Sequence, residues 1–170
     1  MKIVYVIASL ATVAAVALGV AATVHARDGG HGPASPIYGV QLPEGYRDWP
    51  FIAPAQEAAP LNELRVIVGN PTAMRAYRDN VRPFPDGTVL VKLAWKHEPS
   101  PDFAPASIPG AATTVQVMVK DSRKYASTGG WGYGRFVDGK PVDEAQHRTC
   151  HACHAARVSD RDFVFTRYAK

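Results

Sequence analysis

Both cysteines of this 170-residue chain fall in one five-residue run, Cys150-His151-Ala152-Cys153-His154. Residues three and four apart share a face of a helix, so Cys150, Cys153 and His154 can all point toward one flat ligand. The run is a Cys-x-x-Cys-His pattern, the attachment signature of c-type haem: two thiols bond the porphyrin's vinyl groups, and the histidine gives a ring nitrogen to the iron. The other ring nitrogen of His154 then needs a hydrogen-bond partner to fix the ring. Competing readings fit less well. Zinc needs four ligands, and without a third cysteine it would recruit His147 or His151 around a cramped helix. A thioredoxin-like pair follows a strand in a βαβ pattern, which the residues before Cys150 do not show. A disulfide is the remaining alternative.

Lys2, the apolar stretch from Ile3 to Thr23 and the small residues around Val24-His25-Ala26 read as a secretory signal covering residues 1–26. The apolar run is nearly long enough to span a bilayer, so an uncleaved anchor is the alternative. Either reading puts the folded part outside the cytoplasm. Bacteria attach haem covalently in the periplasm, so the leader and the haem run agree. Residues 27–41, with their Gly, Pro and Ser content, read as a flexible lead-in holding a solvated His31, and 42–170 as one domain. The formal net charge of +4 is modest, and no Lys/Arg cluster points to nucleic acid.

Leu42 to Pro50 predicts a turn and a short helix packing Trp49, and Gln56 to Asn62 a loop. Leu64 to Val68 predicts a strand. Asn70-Pro71 has the form of an N-cap and first helical position, giving a helix to about Asp79 with Met74 and Tyr77 buried. After the Asp86-Gly87 turn, Thr88 to His97 is the longest strand candidate. Val89, Val91, Leu93 and Trp95 make an apolar face, while Thr88, Leu90, Lys92, Ala94 and Lys96 make a mixed one. Pro99 to Pro109 reads as a loop long enough to form a lid. Thr113 to Lys120 predicts a strand with valines on one side and Gln116 and Met118 on the other. A short helix over Asp121 to Ala126, a glycine-interrupted strand from Trp131 to Val137 and a hairpin turn at Asp138-Gly139 follow. Val142 to about Arg157 is the helix of the haem run, and Phe163 to Tyr168 a final strand. The sum is an α+β domain: a mostly antiparallel β sheet with flanking short helices.

Sixteen residues follow His154, and none is Met or His. A sixth iron ligand would therefore come from upstream, where Met74, Met118, His97 and His147 are the candidates. An empty sixth position fits at least as well, and a five-coordinate haem binds small molecules.

Leu42-Pro43 to Trp49, Asp86-Gly87-Thr88-Val89 with Val91-Lys92, Val119-Lys120-Asp121-Ser122, Trp131, the haem run and Val164-Phe165-Thr166-Arg167 recur in order and spacing that resemble the cytochrome P-460 family, including the beta-type cytochromes c′. The resemblance implies a mostly antiparallel β domain, usually a homodimer, holding one haem c with His154 proximal and an open or water-bound distal side. Some members oxidise hydroxylamine and carry a lysine bonded to the haem ring; the beta-type cytochromes c′ lack that bond, cap the distal face with aromatics and bind nitric oxide or carbon monoxide.

Lys92 matches the cross-linking lysine in Gly-Thr-Val-x-Val-Lys, and burial against haem would lower its pKa. The distal glutamate of the hydroxylamine-oxidising members is matched by Gln116, which can hydrogen-bond a ligand but cannot act as a general base. Glu98 or Asp102 on the flanking loop could substitute. Phe51, Trp95, Phe103 and Phe136 are available as pocket aromatics, with core packing the default for each. Gly132 and Gly134 leave one face of their strand nearly bare for a flat ring or another backbone, and Arg135 could pair a haem propionate, bind an iron ligand or form a surface salt bridge. The expected partners are a small gaseous or nitrogenous ligand and a periplasmic electron-transfer protein. Hydroxylamine oxidation, nitric oxide binding and plain electron transfer are the three functional readings, the last weakened by the absence of a methionine after the haem run.

Overall fold

The computed structural model describes residues 32–170; the expected signal segment, the first part of the lead-in and His31 lie outside them. Six strands form one antiparallel sheet in sequence order: β1 (Phe51–Glu57), β2 (Glu63–Gly69), β3 (Val89–Pro99), β4 (Ser107–Lys120), β5 (Trp131–Val137) and β6 (Lys140–Pro141). Helix α1 (Pro71–Arg78) links β2 to β3, and α2 (Glu144–Val158) follows β6. This is the expected α+β class. Among the described residues no helix is long and apolar enough to cross a membrane.

Period-two alternation assigns the sheet's two faces. Val68, Val89, Val91, Leu93, Val117 and Phe136 form one apolar cluster, against which Tyr38, Leu42, Tyr46 and Trp49 pack. Ile67, Leu90, Trp131 and Tyr133 face the other way, joining Met74 and Tyr77 of α1 and Val164. Each fully buried apolar side chain contributes roughly 1.5–3 kcal/mol, so these two layers hold the sheet between them. Asn70 caps α1 as expected: its Oδ1 accepts from Ala73 N at 2.9 Å and Val89 N at 3.1 Å, and its Nδ2 donates to Gly87 O at 2.8 Å.

Four expectations about elements are corrected. Gln56 and Glu57 belong to β1, an edge strand whose Pro54 costs no ladder bond because one side of it is unpaired. The expected lid is mostly hairpin: β3 and β4 pair out to Pro99 and Ser107, leaving a short tip at 100–106. The expected helix over Asp121 to Ala126 is a run of turns ending in a 3-10 turn at Ala126–Thr128. Phe163 to Tyr168 is not a strand. Its carbonyls are taken by side chains, Arg161 on Phe165 and Thr166 and Tyr77 on Thr166, and Ala169 N–H donates to Ile52 O. Within the 27–41 segment, chain from Ser35 onward is packed on β5: Ser35 Oγ donates to Tyr133 O at 2.9 Å, and Tyr38 sits edge-on to Tyr133 and Tyr125.

Candidate haem site

A cavity of about 900 Å³ lies between the second sheet face, α2 and the segment after α2, within the roughly 300–1,000 Å³ of small-molecule and cofactor sites. Cys150, Cys153 and His154 all line it. Asp143 starts their helix by accepting from Gln146 N at 2.8 Å. Both cysteines are free thiols, Cys150 half-buried and Cys153 exposed, and burial pushes the Cys150 thiol above its ordinary pKa. His154 Nδ1 lies 2.7 Å from Phe163 O. A carbonyl only accepts, so Nδ1 carries the proton and Nε2 keeps its lone pair. Burial pushes the imidazole's pKa down, and Lys92 adds to that against the Phe163 hydrogen bond; the neutral ring is the form an iron ligand needs.

The opposite wall is a cross-strand row, Ala53, Ile67, Lys92, Gln116 and Arg135, each paired with the next across β1 to β5 and all lining the cavity. The register thus makes the three singled-out polar residues neighbours. Burial, and after it the charge of Arg65, lowers Lys92 to about 8 despite Glu63 and Glu57. Gln116 Nε2 donates to Thr114 Oγ1 at 3.3 Å. Arg135 forms no salt bridge among the described residues, and its buried Nε has no partner; the same is true of the Tyr133 hydroxyl in the cavity wall. Two thiols and an oriented imidazole on one side, and orphaned buried donors on the other, fit a haem c. Five cationic side chains against two carboxylates in the lining suit its propionates.

The cytochrome P460 family model matches residues 43–166. The chain belongs to the cytochrome P460 family. Membership makes it a mono-haem c protein and agrees with the antiparallel sheet described above. A comparison with curated proteins found no match.

Of the four candidate sixth ligands in this P460 domain, Met118 alone lines the cavity. Met74 is core, as expected. His97 pairs with Asn62 Oδ1 at 3.1 Å on the β3–β4 hairpin. His147 is 0 % exposed with both nitrogens used, Nδ1 on Asp143 O at 2.9 Å and Nε2 accepting from Arg135 N at 3.1 Å. The carboxylates Glu98 and Asp102 and the aromatics Phe51, Trp95, Phe103 and Phe136 are all absent from the lining; Phe136 is core on the opposite face, and Phe103 is exposed at the hairpin tip. The aromatics that do line it are Tyr133 and Phe165. The bare face at Gly132 is filled by the ring of Tyr125, which a Cβ there would meet at 2.3 Å, so that glycine admits a protein ring and not the cofactor.

Sequence reasoning missed Glu57, Glu63 and Arg65. Glu63 is 4 % exposed, accepting from Thr113 Oγ1 at 2.7 Å and from Arg65 at 2.6 and 2.9 Å, while Arg65 also bridges Glu57. Burial raises the Glu63 pKa, but these hydrogen bonds and the guanidinium outweigh it and leave it below the ordinary value. The signal was the parity of β2, which puts Glu63 and Arg65 on the face of Ile67.

Proposed function

We propose that this is a periplasmic protein with one covalently attached haem c and an open distal iron site that binds or oxidises small nitrogen species, hydroxylamine and nitric oxide. The observation that carries the proposal is the Lys92–Gln116–Arg135 row, which shares one cavity with Cys150, Cys153 and His154. Cys150 and Cys153 would form the thioethers, and His154 Nε2 would serve as proximal ligand, its ring held by Phe163 O. The bound group supplies an iron centre that takes up a small ligand and changes oxidation state. Lys92, lowered to about 8, gives up its proton far more readily than an ordinary lysine to reach the nucleophilic amine that a bond to the haem ring requires. Gln116 and Arg135 offer hydrogen bonds to a small polar ligand. The leader expected from residues 1–26 supports the periplasmic location, from which electrons would pass to another redox protein, and a homodimer is the assembly we propose.

A second reading, nitric oxide binding without turnover, is favoured by Gln116 and Glu63. The first is not a base. The second has both oxygens engaged and a lowered pKa, which suits an ion-pair partner better than a proton acceptor. The optical spectrum of the purified ferrous protein tests the choice. A strongly red-shifted Soret band, with a haem bond beyond the two thioethers in the mass spectrum, supports the oxidase. An ordinary high-spin haem c spectrum supports binding alone, and a six-coordinate low-spin spectrum rejects both.

A further inference from the structure

Lys120 belongs to the Val-Lys-Asp-Ser segment, which the site above leaves without a role. It is buried, and its Nζ lies 2.7 Å from Asp162 Oδ1 and 3.0 Å from Gly129 O, 5.0 Å from the Trp131 ring centroid. Asp162 is equally committed: its Oδ2 accepts from Phe84 N at 2.7 Å. The next residue is Phe163, whose carbonyl accepts from His154 Nδ1. We propose that the Lys120–Asp162 ion pair is a positioning device for the proximal histidine, holding the Phe163 carbonyl where it fixes and polarises the His154 ring. The inference rests on the reading of His154 as the iron ligand.

Three restraints converge on Phe163. Asp162 and Phe163 have φ of 52° and 62°, consecutive left-handed residues that are not glycine, a disfavoured backbone that persists only where its surroundings enforce it. The Phe163 N–H donates to Val158 O at 2.9 Å. Its ring lies over Gly129, where a Cβ would come within 2.2 Å of a ring carbon. Lys120 clamps the first restraint through Asp162 and the third through Gly129 O. An acceptor on Nδ1 orients a ligating imidazole and raises its donor strength. Releasing the carbonyl should therefore weaken the iron–histidine bond and favour the reduced state.

The test compares haem-loaded native protein with Lys120→Met/Asp162→Asn, which removes both buried charges together, with Asp162→Asn alone, and with Lys120→Arg, which keeps the cation. Resonance Raman of the ferrous form reads the iron–histidine stretch, and redox titration reads the midpoint potential. The expected result is a lower, broader stretch and a more positive potential in the double variant, a smaller shift of the same sign in Asp162→Asn, and return toward native values in Lys120→Arg. Val91→Ala, a core truncation in the opposite cluster, should leave both readouts at native values. Native stretch and potential in the double variant overturn the proposal; if that variant does not load haem, native values in Asp162→Asn overturn it. Absence of an iron–histidine stretch in a five-coordinate high-spin native protein would instead reject His154 as the ligand, and in a six-coordinate protein the midpoint potential alone decides.

Discussion

Lys92 on β3 lies directly opposite Gln116 on β4, both lining the cavity that holds Cys150, Cys153 and His154 in its wall. An amine lowered to about 8 therefore faces a neutral amide. A carboxylate in the amide's place would stabilise the ammonium and raise its pKa. The pair thus leaves the lysine easier to deprotonate than a carboxylate neighbour would, and places no general base at this position.

Lys92→Ala is expected to abolish any red shift of the Soret band and leave the thioethers intact. Proteolysis followed by mass spectrometry should find the native haem on both the Cys150/Cys153 peptide and the Lys92 peptide. The variant's haem should stay on the first alone. A native haem confined to the first peptide would reject the cross-link.

Gln116→Glu supplies the missing base. Hydroxylamine consumption with an artificial electron acceptor should rise by about 100-fold, the lower end of general-base contributions. Turnover unchanged by the substitution would mean that the amide is not what limits it.

Where the Lys92 amine is free, stability should depend on pH in a definite direction. Its pKa is about 8 when folded and 10.5 ordinarily. Between these values the unfolded chain binds more protons, so stability rises with pH through this window, by at most roughly 1.4 kcal/mol per pH unit. Below about 8 both states are protonated and the full cost of burying the ammonium persists. Urea unfolding across the window should show the slope, and Lys92→Met should remove it. Equal slopes in the two proteins would place the lysine in water.

Asn70→Ala loses the cap of α1 and the ties to Val89 and Gly87 at once. A loss of about 2–3 kcal/mol is expected by chemical denaturation, above the usual ~1 kcal/mol for a cap alone. A loss under about 1 kcal/mol would show that the strand contact contributes little.

Elements with a strict local period were legible in the sequence. The alternation of Val89, Val91 and Leu93 against Leu90 and Lys92 fixed which face of β3 meets the cavity, since a strand offers only two faces. Asn70-Pro71 marked α1 because the cap is a local hydrogen bond. Proline disguised β1 and the outer hairpin, since an edge or hairpin end tolerates it and only the assembled sheet shows where the edges are. Phe163 to Tyr168 has the composition of a strand, yet side chains of Arg161 and Tyr77 take its carbonyls.

The sequence by itself determined that Cys150, Cys153 and His154 share one face, because that needs only helical spacing, and it marked Lys92 and Gln116 through their strand positions. Tertiary structure decided their surroundings. The partner of His154 is a carbonyl nine residues on, presented by two left-handed residues anchored to a lysine on another strand. The charges around Lys92 come from β1, β2 and β5, and strand register brought them there. Such contacts join residues distant in the chain, and no local pattern encodes them.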